Sequence, residues 1–331
     1  MADYKGIKGF TIQTIAGDPP APIVGQVWYN TTSNVLKGYV TSAGAWSSGG
    51  DMNTGKGQMG CVGGTPAALV MGGYAPNLNA TEEYDGTTWT AASPLNSGRQ
   101  YNAGFGSTTA AVTVGGNPAA VDATETWDGT SWATSPATLA SGRQKFGTSN
   151  RSPSTAGLIF AGQNTPGPPW YSLALVESFD GSAWSVENPV NTDREAVASV
   201  GTATAALCIG GYDQNPPAAM RDEVEEYNGT TWTEKADLTT ARQASACAGT
   251  TTSAVIGGGT TPPATAITEQ WDGSSWTEVA DLATAREGIG KGAGASGNTC
   301  IAAGADAAAP LKVLTEEWEG APASTVTFTS S

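Results

Sequence analysis

With 331 residues, 44 of them glycine, only 14% charged and 11 tryptophans, the chain has the composition of a sheet protein with many tight turns. A net charge of −15, from 30 acidic and 15 basic residues, repels phosphate and argues against nucleic-acid binding. Histidine is absent, which removes the commonest general base, the commonest zinc and copper ligand, and the Ser-His and Cys-His nucleophile systems.

In chain order, the start carries Lys5 and Lys8 with no apolar run behind them, so no secretory signal is expected. No run of about 18 apolar residues follows anywhere, which excludes a helical membrane span. Residues 1–24 read as an arm. Asp18-Pro19-Pro20-Ala21-Pro22 is a stiff, extended stretch that cannot join a central strand. Gly25-Gln26-Val27-Trp28-Tyr29-Asn30-Thr31-Thr32, followed by Val35 to Val40, reads as a β-hairpin, and Trp46 comes next.

From there one phrase recurs: acidic, any residue, aromatic, Asp or Asn, Gly, two small polar residues, Trp. It runs from Glu82 to Trp89, Glu125 to Trp132, Glu177 to Trp184, Glu225 to Trp232 and Glu269 to Trp276, with a degraded copy at Glu316 to Gly320. Ten or eleven residues after each Trp stands a basic residue: Arg99, Arg143, Arg194, Arg242 and Arg286, with Lys56 following Trp46. An apolar run then ends in Gly-Gly or a relic of it, at 72–73, 115–116, 161–162, 210–211, 257–258 and 303–304. Each unit thus predicts four short strands: a beginning at the Arg, b in the apolar run, c carrying Glu-x-aromatic and d carrying the Trp. Asp-Gly between c and d is a hairpin signal because Gly tolerates positive φ. Trp46 is a strand d without its own a, b and c, and the last unit has a, b and c without a Trp. The phase predicts that the N-terminal strand completes the C-terminal unit, which would hide both sheet edges.

Repeats of this length with four strands each are the signature of propeller blades. The Gly-Gly pairs, the aromatic before Asp-Gly and the Trp after it resemble the kelch repeat over residues 46–320. The resemblance implies an all-β, six-bladed β-propeller. Kelch propellers include galactose-oxidase-like enzymes, whose copper site needs two His, so that activity does not carry over. Asp-Gly-Thr-Thr-Trp is not the sialidase Asp box, where one residue separates Asp from Gly. The Gly-x-x-Trp-Tyr-Asn hairpin followed by such units is similar to structural proteins of tailed phages, marine phages and cyanophages especially.

Charged markers present in every unit (Glu82, Glu125, Glu177, Glu225, Glu269 and Glu316 with the basic residues) read as structural ion pairs, because a catalytic site would be unique rather than sixfold. The Trp row (Trp46, Trp89, Trp132, Trp184, Trp232 and Trp276) reads as packing between blades, each Trp carrying one N–H that needs a partner. Cys61, Cys208, Cys247 and Cys300 lie in no CxxC pair. They read as buried small apolar side chains, with one disulfide as the alternative. The b–c connections differ between units, and all length variation is assigned to that face. The third holds Trp170 and Tyr171, the fourth Tyr212, Asp213 and Arg221. Variable loops on a rigid scaffold are where binding residues sit, so these five are the candidate binding residues.

The expected organisation is an attachment segment over 1–45, a propeller over 46–321 and a strand or tail over 322–331. The expected function is non-enzymatic: a virion structural protein, as fibre, tail or capsid-attached appendage, with no catalytic residue, metal or cofactor. Its expected partners are other virion proteins through residues 1–45, a host-surface glycan or protein, and further copies of itself. The alternatives are a kelch scaffold that binds a cellular protein and a carbohydrate-active propeller working through carboxylates alone.

Overall fold

The computed structural model describes residues 12–22, 26–41, 44–74, 78–118, 122–164, 168–290, 293–306, 311–320 and 323–328. Gly25, Thr165-Pro166-Gly167, most of the sixth b–c connection and the outermost ends of arm and tail lie outside the described residues. The chain divides into two units, residues 45–319, and residues 1–44 with 320–331. Among the described residues no helix is long and apolar enough to cross a membrane.

Within residues 45–319 the strands form antiparallel four-stranded sheets. In strand order a to d, the first comprises Gly60–Gly64, Ala67–Met71, Thr81–Tyr84 and Trp89–Ala92. The second comprises Ala103–Gly106, Ala111–Val114, Ala123–Trp127 and Trp132–Thr138. The third comprises Gly147–Thr148, Gly157–Phe160, Val176–Phe179 and Trp184–Glu187. The fourth comprises Ala198–Thr202, Ala205–Asp213, Ala219–Tyr227 and Trp232–Glu234. The fifth comprises Ala246–Thr250, Ser253–Gly257, Thr268–Trp271 and Trp276–Val279. The sixth joins Ala293–Ser296, Thr299–Ala303 and Thr315–Glu319 to Ala45–Ser48, with Trp318 opposite Trp46. This is the pairing that the phase of the repeat requires.

The core lies between consecutive sheets rather than inside any one. Val200, Leu207, Ile209 and Val224 of the fourth pack with Cys247, Ile256, Trp271 and Trp276 of the fifth. Cys61, Val70, Tyr84 and Trp89 of the first pack with Ile301 and Ala303 of the sixth. Within each sheet the aromatic of strand c stacks on the Trp of strand d, as in Tyr84–Trp89 at 4.8 Å and Trp127–Trp132 at 5.3 Å between ring centroids. All four cysteines are buried thiols, so the disulfide alternative drops out. Burial pushes the Cys61 thiol up to about 12, which removes its reactivity at neutral pH.

Local chemistry explains the repeat residue by residue. In the c–d turn, Asp85 Oδ1 accepts the N–H groups of Thr87 and Thr88 at 2.8 and 2.7 Å, while Gly86 takes φ +96°. Asp128, Asp180, Asn228 and Asp272 build the same turn. Strand a begins after the basic residue, not at it: Arg99 precedes Ala103, and Arg99–Gln100 pairs instead with Asn117–Pro118. The break falls at Tyr101, whose φ of +56° no extended strand accommodates. Arg99 Nη1 donates to Gly115 O at 3.2 Å and Ala123 O at 2.9 Å, and Nη2 pairs with Glu125 at 2.5 Å. The other Glu125 oxygen accepts the Asn96 N–H, in the chain entering the sheet, at 2.7 Å. Each sheet repeats this ion pair: Lys56–Glu82, Arg143–Glu177, Arg194–Glu225, Arg242–Glu269 and Arg286–Glu316.

The same strut corrects the fifth and sixth Gly markers. The carbonyl that Arg286 reaches is Gly304, and the turn residues with positive φ are Gly258 at +66°, Gly259 at +104° and Gly304 at +67°. The marker therefore falls at 258–259 and 304–305, one position later than the sequence pattern placed it.

The Trp row is a ladder. In four of the six sheets the indole N–H of strand d donates to the residue before the Glu of the preceding sheet. Trp132 bonds Thr81 at 3.1 Å, Trp184 bonds Thr124 at 2.9 Å, Trp46 bonds Thr268 at 2.9 Å and Trp89 bonds Thr315 at 3.0 Å. The corresponding residues for Trp232 and Trp276 are Val176 and Val224, which offer no oxygen, and both Nε1 atoms are buried without a partner.

The smaller unit is a four-stranded sheet. Val27–Asn30 and Val35–Thr41 form the expected hairpin, Gln13–Ile15 adds in parallel on one side and Ala323–Phe328 antiparallel on the other. The described part of the arm is thus tied down. The Asp18 carboxylate accepts from Trp28 Nε1 at 3.1 Å and Asn30 Nδ2 at 2.7 Å, and pairs with Lys37 at 2.8 Å. Those bonds, the Lys37 one foremost, hold its pKa below the ordinary value. Asn30 in turn caps the hairpin through the N–H groups of Thr32 and Ser33. That network gives Trp28 and Asn30 of the hairpin motif a physical role. Gly38 lets the Phe328 ring lie across the strand, since a Cβ there would come within 2.8 Å of it and push the ring aside.

Candidate binding face

The third b–c connection leaves its sheet through Gln163–Asn164, which pairs with Arg143–Gln144. Asn164 then folds the loop back on itself: its Oδ1 accepts the Tyr171 N–H at 2.5 Å and its Nδ2 donates to Pro169 O at 3.2 Å. Trp170 and Tyr171 are left 44% and 49% exposed, beside backbone groups of Pro169 and Tyr171 that the Asn164 amide holds. Exposed rings held this way lose little conformational entropy on contact.

The fourth connection is different from the expected loop. Tyr212, Asp213 and Arg221 lie on strands, because Ala205–Asp213 and Ala219–Tyr227 continue past a register shift as a projecting hairpin. Asp213 and Arg221 are joined at 2.6 Å, Arg221 also reaches Glu223 at 3.2 Å, and Asp213 is buried. The bond to Asp213 raises the Arg221 pKa. This pair stiffens the hairpin. Tyr212 is half-buried and contributes its backbone to the junction with the third loop.

That junction is dense. Ser172 Oγ donates to Tyr212 O at 3.3 Å and accepts the Gln214 N–H at 2.8 Å. Asn215 Nδ2 donates to Ser172 O and to Asp193 Oδ2. A row of amides, Gln144 to Gln163 at 2.6 Å and Gln163 to Gln214 at 2.7 Å, runs across it. The two loops are therefore neighbours, and Trp170 and Tyr171 stand beside a rigid polar seam.

One feature of this face has no sequence motif. The residue two positions after each basic residue has positive φ: Gln58, Tyr101, Lys145, Ala196, Ala244 and Gly288. Each donates its N–H to the carbonyl of the one in the preceding sheet, from Tyr101 to Gln58 at 2.7 Å through Lys145, Ala196 and Ala244 to Gly288. Gln58 N–H donates to Gly288 O at 2.8 Å and completes the circuit. The recess inside, bordered by Met59, Val197 and Ile289, holds only about 20 Å³, room for one water. Lys145 Nζ sits 5.4 Å over the Tyr101 ring and 2.9 Å from Glu195. Burial, then Asp306, Tyr74 and Glu195, raise the Tyr101 phenol pKa. Tyr74 is 45% exposed under Lys312.

No family model matches the chain, and no curated protein matches it either. Among solved structures it is similar to YjhT, with a TM-score of 0.64 over 82% of this chain and 96% of that one, at 13% identity. The chain has a propeller-type all-β fold. At that identity the likeness concerns the fold alone.

Length variation is not confined to this face. The a–b turn of the third sheet spans residues 149–156, where the other five sheets use two to four residues. The expectation that all insertions lie among the b–c connections is corrected by that turn. Its Ser and Asn residues match the composition of ordinary turns, so the repeat pattern hides it. Among the described residues no three His, Cys, Asp or Glu side chains gather as a metal site.

Proposed function

We propose that this chain is a non-enzymatic structural protein of a tailed-phage virion, a fibre, tail or capsid-attached appendage. Residues 1–45 attach it to the particle, and a six-bladed kelch-type propeller presents the Trp170–Tyr171 face to the host surface or a neighbouring protein. Ring closure is supported by the Ala45–Ser48 pairing, by the Trp89–Thr315 bond and by the circuit of six backbone hydrogen bonds. A closed ring of sheets is a stiff platform, and the recess bordered by Met59, Val197 and Ile289 has room for about one water.

The observation that carries the reading is the contrast between the charged residues and the exposed ones. The buried charges repeat in every sheet as struts, whereas Trp170 and Tyr171 occur once, exposed, beside backbone groups held by Asn164. Virion placement rests on the phage-like hairpin in the smaller unit, whose sheet also takes in Gln13–Ile15 and Ala323–Phe328. The test is immunogold labelling of purified particles with an antibody to residues 45–319. Label on the particle is expected, and particles that carry none overturn the placement.

A further inference from the structure

The insertion at residues 149–156 is built, not slack. Ser149 and Ser152 are buried. Leu158 N–H and Ser152 Oγ both donate to Ser149 Oγ at 2.8 Å, Asn150 Nδ2 donates to Ser199 O at 3.1 Å, and Arg151 N–H donates to Gly201 O at 2.9 Å. It borders an open groove of about 370 Å³, lined by Gly106, Ser107, Arg151, Ser152, Pro153 and Ser154 with Ala110. No carboxylate lines it.

Arg151 is the anomaly. The other six arginines are each ion-paired with a carboxylate. Arg151 is exposed in the groove and pairs with none among the described residues, in a chain with twice as many acids as bases. A guanidinium left open beside serine hydroxyls matches a carboxylate on a hydroxyl-bearing ligand, because its planar fork takes both carboxylate oxygens at once. One cation in a strongly acidic chain balances one negative charge, which favours a carboxylate over a dianionic phosphate. The groove exceeds a lone carboxylate and suits a ring of monosaccharide size. Among the described residues, the third sheet alone has an a–b turn of this length.

We propose that this groove binds a carboxylate-bearing saccharide unit of the uronic-acid class. Arg151 takes the carboxylate, and Ser107 and Ser154 line the space for the ring hydroxyls. The site is separate from the Trp170 loop and does not rest on its role.

The test is titration calorimetry of the full chain with glucuronate and galacturonate, with glucose and inorganic phosphate as comparisons. Saturable binding of at least one uronate is expected, with glucose and phosphate at least tenfold weaker. Arg151→Gln is expected to lose at least tenfold while melting as the wild type does. Ser154→Trp, which fills the groove, is expected to abolish uronate binding with the guanidinium intact. The proposal is overturned if neither uronate binds, if glucose or phosphate binds as tightly, or if both variants bind as the wild type does.

Discussion

The two gaps in the tryptophan ladder offer a repair experiment. Trp232 and Trp276 bury an indole N–H with no partner, and the residues placed to receive it are Val176 and Val224. Thr is nearly isosteric with Val. Burying a hydroxyl without a partner costs about 1–3 kcal/mol, which is why Val→Thr in a core ordinarily destabilises. Here the new oxygen would accept from a donor whose own burial already costs about 1–3 kcal/mol, so the two effects cancel. Val176→Thr and Val224→Thr should each lie within about 1 kcal/mol of the wild type. Val112→Thr, at a fully buried position beside Phe105 and Phe179, should lose about 2 kcal/mol. Urea denaturation monitored by tryptophan fluorescence reads the difference. Repeating Val176→Thr in a Trp232→Phe background should erase its advantage. If Val176→Thr costs as much as Val112→Thr, the ladder is not a set of energetically meaningful hydrogen bonds.

Removing one side of a strut should be far more damaging: Glu177→Ala leaves the buried Arg143 charge uncompensated and should cost about 3–5 kcal/mol in the same assay, and a loss under 1 kcal/mol contradicts the strut's role. Ala161 holds φ +61° where the five other sheets carry Gly, so Ala161→Gly should raise Tm slightly, by about 0.5–1 kcal/mol of stability, strain relief exceeding the entropy of the unfolded glycine; a fall of that size refutes it. In the c–d turns, hydrogen bonds from Thr130, Ser131, Ser274 and Ser275 hold Asp128 and Asp272 at about 2, below the ordinary carboxylate value near 3.9. Their stabilisation is therefore complete above about pH 4 and is lost as pH falls toward 2. Asn228 already makes this turn uncharged, so converting Asp85, Asp128, Asp180 and Asp272 to Asn should flatten the Tm profile between pH 4 and pH 2, and an unchanged slope would show that the turns do not set it.

The four-strand unit, its sixfold phase and the pairing of Trp46 with the last unit were legible because each depends on residue type. Asp or Asn is needed to accept two turn N–H groups, Gly to reach positive φ, and Trp to bridge neighbouring sheets. The backbone circuit from Gln58 to Gly288 was not legible. It constrains φ and a main-chain hydrogen bond, and six different local contexts satisfy it with Gln, Tyr, Lys, Ala and Gly. The fifth Gly marker slipped because Gly257-Gly258-Gly259 offers two pairs, and only the backbone, with positive φ at Gly258 and Gly259, decides between them. Pro216-Pro217 interrupts the strand pattern around Tyr212, Asp213 and Arg221 and so mimics a loop, although the strands on either side continue to pair. Trp170 and Tyr171 were legible as exposed aromatics because the loop is rich in proline and long relative to its equivalents.

The central claim is that the propeller recognises its target through the Trp170–Tyr171 loop, and binding of fluorescently labelled protein to host cells tests it most directly. Trp170→Ala should weaken binding by about 2 kcal/mol or more, roughly thirtyfold, with Tm unchanged, while Thr88→Ala in a uniform c–d turn should bind as the wild type does. If the Trp170 and Thr88 variants bind alike, the recognition face lies elsewhere.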